Sequence, residues 1–237
     1  MELSEEPVAG ERLPGLKWLL YAAQLLGALS LILIAVMGAL FGGYTGPSDP
    51  KKWFNWHPLL MTLGLLLLQG ESIIIYRVLR NKPKFQLKIV HAALHAIAFA
   101  LMVVSLQAVF DSHNLANPPY ANMYSLHSWI GLGACILFAA QLLFGFLAFL
   151  FPQLRESRRK KLMPFHTFGG IVIFHLTIMA TLMGITEKLI FARNYSALEA
   201  PALVGNVFGV SITLFSIVVF YIVSQPDYKR VPLPIDS

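Results

Sequence analysis

The sequence predicts an all-α integral membrane protein with six transmembrane helices, and three observations carry that prediction. Hydrophobic residues make up 57% of the 237 and charged residues only 13%, with a mean hydropathy of +0.65; soluble domains typically carry about 25% charged residues. Six apolar runs, roughly 17–42, 57–79, 86–110, 125–151, 163–186 and 203–224, reach the ~20 residues a helix needs to cross a core of about 30 Å. None alternates as a barrel strand does, and a helix satisfies its own backbone in lipid. The connections are too short for a separate soluble domain. The chain therefore divides into a tail (1–16), one six-helix domain (17–224) and a second tail (225–237).

The formal charge of +6 is a topology signal and argues against a nucleic-acid partner. Arg12 and Lys17 precede the first run. Arg77, Arg80, Lys82, Lys84 and Lys88 lie between the second and third, Arg155, Arg158, Arg159, Lys160 and Lys161 between the fourth and fifth, and Lys229 and Arg230 after the sixth. The other side has only Lys51, Lys52, Lys188 and Arg193. The positive-inside rule then puts both termini in the cytosol. Met1 to Gly15 are acidic and carry Pro and Gly, without the basic start of a cleaved leader, so the first run is retained as a helix. Cys135 is the only cysteine, which excludes an intramolecular disulfide and a Cys-x-x-Cys-His haem attachment; it reads as a small buried hydrophobe.

Taken in order, the first run has no ionisable residue after Lys17, and Gly27, Gly38, Gly42 and Gly43 read as packing points of a scaffold helix. Trp53 and Trp56 suit an interface. The second run opens on Asn55-Trp56-His57-Pro58, with proline in the first turn, where it is tolerated. Glu71, two turns inside the basic cluster, reads as a carboxylate satisfied by a neighbour, with a proton relay as the alternative.

The third run brings His91 and His95 onto one face, about 6 Å apart along the axis. The loop Asp111–Tyr124 carries His113, which on its own reads as solvated. The fourth begins at Ser125-Leu126-His127-Ser128-Trp129, and the fifth at Met163-Pro164-Phe165-His166. His175 falls half a rotation from His166 and faces another surface. Asn194-Tyr195-Ser196 is a glycosylation sequon on the non-cytosolic side. The sixth run is scaffold, and Tyr228-Lys229-Arg230-Val231 fits a tyrosine-based sorting pattern.

Four of these histidines sort by depth. His57 and His127 lie near the outer face, His91 and His166 toward the cytosol, each pair drawn from two of the central helices. Facing neutral imidazoles suit the two axial positions of an iron porphyrin and add no charge to the interior. Zinc would ask for four ligands, preferably with thiolate. Histidines scattered at the interface without a cofactor remain the alternative at this stage.

The segments Phe54-Asn55-Trp56-His57-Pro58-Leu59, Tyr76-Arg77-Val78-Leu79-Arg80, Ser125-Leu126-His127-Ser128-Trp129 and Met163-Pro164-Phe165-His166 resemble the cytochrome b561 family of ascorbate-reducible transmembrane cytochromes. The resemblance runs from the first helix to Lys229-Arg230. It implies two non-covalent b-type haems in a central bundle of helices 2–5, ligated His57 with His127 and His91 with His166. It also implies cytosolic ascorbate bound by Lys84, Lys88 and Arg159, with Arg77 and Arg80 either assisting or serving as inside-positive anchors.

On the outer side the resemblance implies an acceptor, monodehydroascorbate or ferric iron, near His113, Asn122 and Tyr124. It implies an ascorbate-dependent oxidoreductase in an endomembrane vesicle, lysosome or plasma membrane, with lipid around it and a homodimer as its assembly. Glu71, His95, His175 and the acidic N-terminus depart from what the family supplies. The rival readings are a haem-bearing anchor subunit that works with a partner protein, and a histidine-lined metal or proton transporter.

Overall fold

The computed structural model describes residue 13, residues 15–192 and residues 195–234. Arg12, the acidic N-terminal stretch, Arg193 and Asn194 of the sequon lie outside these. Six helices are long and apolar enough to cross a membrane: α1 (Leu16–Leu40), α2 (Pro50–Val78), α3 (Lys84–Asn114), α4 (Leu126–Leu150), α5 (Glu156–Phe191) and α6 (Ala200–Ser224). Large apolar side chains such as Trp18, Leu25, Ile32, Phe168, Val210 and Ile217 cover the outside, as expected where the solvent is lipid. The chain is a multi-pass membrane protein.

Gly15 before α1 and Tyr228 after α6 pack against each other, so both ends of the described chain lie at one end of the bundle, here termed the tail end. The opposite end is the distal end. α1 packs along α6, with Ser30 and Ser211 hydroxyls 2.9 Å apart and Gly27 facing Leu67 and Phe215. α4 packs along α5, and α3 along α2. α2 is the most buried of the six and touches every other spanning helix except α4 extensively.

The distal end of α1 stops at Gly42 and Gly43, both in the left-handed region (φ 99° and 87°). They make a turn, where the sequence suggested packing points. The buried Asn55 holds that ending: the two hydrogens of its amide are shared among the carbonyls of Gly43 (2.7 Å), Gly38 (3.2 Å), which also accepts from the Gly43 amide, and Phe41 (3.4 Å). An open helix end buried in a membrane protein needs such a partner. Asn55 thereby fixes α2 two residues before His57, between its first turn (Pro50–Trp53) and the helix that resumes at Trp56.

α2 widens to π geometry over Thr62–Leu68, and α4 over Phe146–Leu150. Such insertions re-aim side chains on either side of them and are frequent at functional sites. α4 starts with a capping box: Ser125 and Ser128 each accept from the other's backbone amide, at 3.2 Å and 3.3 Å.

Two expectations about boundaries change. α5 begins at Glu156, seven residues before the run its hydropathy marks, because apolarity reports where a helix enters lipid and not where its hydrogen bonding starts. His166 is consequently inside the helix, with Pro164 tolerated beside it. α3 runs to Asn114, so His113 stands on its last turn and not in a loop.

The larger buried cluster, with Phe174, Phe208 and Phe215, ties α1, α2, α5 and α6 together. A smaller one, Leu65, Ala98, Met102, Cys135, Phe138 and Ile173, lies among α2–α5. Its members fall midway along their helices, between the two histidine levels described next.

Candidate functional site: two facing histidine pairs

His57 on α2 and His127 on α4 face each other with ring centroids 6.2 Å apart and planes at 81°. His91 on α3 and His166 on α5 do the same at 6.1 Å and 64°. The first pair is distal and the second lies toward the tail end. The ring of His127 abuts Gly184 of α5, and that of His166 abuts Gly145 of α4. Each histidine and the glycine on its own helix are eighteen positions apart, so the two levels are separated by roughly 27 Å of helix at 1.5 Å per residue.

The hydrogen bonds around the rings fix which nitrogen is free. His127 Nδ1 lies 2.8 Å from the Ala180 carbonyl. His91 Nδ1 lies 3.0 Å from the Ser72 carbonyl and 2.8 Å from its hydroxyl. His57 Nδ1 lies 3.3 Å from the Ser105 carbonyl and 3.1 Å from its hydroxyl. A carbonyl only accepts, so in these three Nδ1 carries the proton and Nε2 keeps its lone pair, the arrangement typical of metal-bound imidazole. His166 Nδ1 is buried with no partner; the carbonyl of its residue accepts from Gln141 Nε2 at 2.8 Å.

The contacts are reciprocal: α2 gives a histidine distally and a serine toward the tail, and α3 gives a histidine toward the tail and a serine distally. α4 and α5 trade histidine for glycine in the same way.

Rings about 6 Å apart are too far for a direct hydrogen bond and leave room for one metal ion with a bond of about 2 Å to each ring nitrogen. In three of the four rings Nδ1 is held by a carbonyl and Nε2 is left as the ligand atom, so the geometry fits a metal held between two imidazoles. Among the described residues no three of His, Cys, Asp and Glu converge tightly enough to hold an ion by themselves. The histidines come in twos, which leaves the remaining coordination to a planar group such as a porphyrin.

His95 stands edge-on to His91 at 4.5 Å and against Phe138 at 5.4 Å, its Nδ1 buried without a partner. It flanks the pair and does not complete it. His175 is exposed and stacks on Phe220 at 4.0 Å, on a different surface from His166. Glu71 accepts from Gln24 of α1 at 2.7 Å, the neighbour-satisfied arrangement.

Three of the predicted cations come together at the tail end. Lys88 donates to the Phe149 carbonyl at 3.0 Å, the Phe149 ring lies 5.0 Å from His166, and Lys84 and Arg159 are within electrostatic reach of Lys88. The Nε of Arg159 is buried without a partner, a donor available to an anion. Arg77 and Arg80 are turned elsewhere. Arg77 donates to Val223 (2.8 Å) and Gln225 (3.0 Å), capping α6, and Arg80 to Asp227 (3.3 Å). Arg230 returns the contact to Lys82 at 2.9 Å.

At the distal end His113 Nδ1 meets Asn122 Oδ1 at 3.1 Å, and Asn122 donates to Asn114 at 2.8 Å. The His113 ring lies parallel to Phe54, which in turn tilts against His57 at 6.1 Å. Tyr124 belongs to a different group. Partial loss of hydration, together with the adjacent Glu187 carboxylate, raises its phenol above the ordinary value. Glu187 also accepts from Ser125 at 3.0 Å and lines a cleft of about 560 Å³ that opens beside His127, with Leu182, Met183 and Phe191.

Sequence reasoning missed Ser72, Ser105, Gly184 and Glu187. The serines and the glycine are small residues spaced evenly from the histidines, but only the helix register tells which of many small residues faces a ring.

A six-helix membrane bundle with two levels of facing imidazoles has the build of a membrane cytochrome. The family profile described as eukaryotic cytochrome b561 matches residues 56–192. The chain is 41% identical over 231 residues to the bovine (Bos taurus) transmembrane ascorbate-dependent reductase CYB561, covering 95% of this chain and 90% of that protein. It is 43% identical over 216 residues to the plasma membrane ascorbate-dependent reductase CYBRD1 of Xenopus tropicalis (89% and 76% covered), and 39% over 228 residues to that of Rattus norvegicus (94% and 79%). The chain belongs to the eukaryotic cytochrome b561 family, and membership implies that it binds b-type haem.

Proposed function

We propose that the protein carries electrons across its membrane from cytosolic ascorbate to an acceptor on the other side, monodehydroascorbate or ferric iron. The observation that carries this reading is the presence of two facing histidine pairs at opposite depths. In it His57 with His127, and His91 with His166, each hold the iron of one b-type haem, two per chain. A haem held there by two imidazoles would supply one-electron chemistry.

The chain's own residues do the rest. Ser72, Ser105 and Ala180 orient the imidazoles, and the Leu65–Phe138 cluster keeps water out between the two levels. Lys84, Lys88 and Arg159 receive the ascorbate anion, for which cations and an open guanidinium donor are the fitting groups. The tail end faces the cytosol, which agrees with the basic clusters there. His113 and Asn122, joined to His57 through Phe54, form the acceptor side. The names of the relatives, ascorbate-dependent reductases, support the donor.

The test is vectorial: purified protein in sealed vesicles with ascorbate trapped inside, and an impermeant ferric chelate outside. Ferric reduction that needs both the protein and the trapped ascorbate is expected; its absence with haem fully bound would favour the anchor-subunit reading.

Two variants probe the supports. A Cβ added at Gly184 would lie 2.7 Å from Cε1 of His127, so Gly184→Ala is expected to bind about one haem per chain where the parent binds two, by pyridine haemochrome assay. Ser72→Ala removes the hydroxyl but keeps the carbonyl partner of His91. Losing a support of this kind costs about 10–100-fold in metal affinity, and a value at the lower end of that range is expected for one haem in a competition titration.

A further inference from the structure

The sequence counts Lys188 merely as one of the few cations on the distal side, and the structure gives it an unusual setting. Its ammonium sits 4.3 Å from the centroid of Phe54 and 4.7 Å from that of Phe41, within the ~6 Å at which a cation is attracted to an aromatic face. Among the described residues no carboxylate pairs with it: the ion pairs are Lys52 with Asp49 and Lys160 with Glu156, and the adjacent Glu187 accepts from Ser125. The two phenyl rings hold the charge and do not neutralise it. Phe54 is also the ring that leans on His57, at 6.1 Å.

We propose that Lys188 is a positioning charge for the distal histidine pair, raising the reduction potential of the iron that His57 and His127 hold. The inference rests on the reading of those two as axial ligands. Ferric iron becomes ferrous by gaining one electron, so a fixed cation nearby disfavours the ferric form and favours the ferrous one. Glu187, on the cleft beside His127, acts in the opposite sense. Two unit charges roughly 10 Å apart at an effective dielectric of about 20 change an equilibrium constant by a factor of order ten. For one electron a tenfold factor is about 59 mV.

The experiment is a spectroelectrochemical titration of the purified full chain, as parent, Lys188→Met, Lys188→Gln and Lys188→Arg, with haem counted in each. His166→Ala, in which only the distal haem is expected, identifies the distal component. Lys188→Met and Lys188→Gln are expected to keep both haems and lower the distal midpoint by about 59 mV, leaving the other component in place; Lys188→Arg restores it. Full haem occupancy with an unmoved distal midpoint, or an equal shift of both components, overturns the proposal. A parent chain with no haem at the distal level overturns the ligand reading and this proposal with it, and the haem count separates that result from the first.

Discussion

His166→Ala is expected to yield a folded chain with one haem in place of two and to abolish fast reduction by ascorbate from the cytosolic side. His166 meets His91 across 6.1 Å with Phe149 and Lys88 beside it, so the variant empties the level nearest the cations and leaves His57 and His127 untouched. His91→Ala should do the same. The distal level is about five helical turns away, and effects at such separation are usually independent. Transmembrane electron flow in vesicles should fall at least ~100-fold, because one centre cannot bridge a core of about 30 Å. Loss of the distal haem from His166→Ala, with the other retained, would contradict the pairing.

The second large effect concerns donor binding. Lys88→Gln and Arg159→Gln are each expected to raise the KM for ascorbate by about 10–100-fold with both haems retained, since a hydrogen bond to a charged partner contributes about 1.5–3 kcal/mol. Gln153 also donates to the Phe149 carbonyl, at 3.1 Å, so the end of α4 stays capped without Lys88 and the change isolates the charge. Arg77→Gln serves as the contrast. Its guanidinium caps α6 through Val223 and Gln225, so its loss should lower thermal stability with little effect on KM. A change in KM for Arg77→Gln as large as for Arg159→Gln would move the donor site toward the C-terminal tail. Initial rates over a range of ascorbate concentrations, with melting curves, separate these outcomes.

Much of this was legible in the sequence because membrane helices tolerate few polar residues. His57, His91, His127 and His166 stand out against apolar runs, and counting lysines and arginines gives the side expected to face the cytosol. The six spans needed only length and hydropathy. What could not be read is what depends on rotation and on the reach of one helix toward another. Ser72 follows Glu71, and of the two polar neighbours the carboxylate drew attention, yet Ser72 faces His91 while Glu71 faces Gln24 on α1. Gly184 is one among seventeen glycines until α4 and α5 are laid side by side.

Arg77 and Arg80 share a basic cluster with Lys84 and Lys88 in the sequence, but point at backbone carbonyls of the last turn of α6 and of the tail, which hydropathy cannot foresee. The start of α5 was missed for a related reason: its first two turns are charged and solvated, and they form helix without any apolar pattern to announce it.

The central claim is that each facing pair of imidazoles holds one haem and that ascorbate supplies the electron. The most direct measurement is an optical spectrum of the purified chain with haem counted per protein, before and after adding ascorbate. Two haems per chain, both reduced by ascorbate without a partner protein, is the predicted result. A chain with no haem after expression under ample haem supply, or one whose haem ascorbate leaves oxidised, would contradict the account.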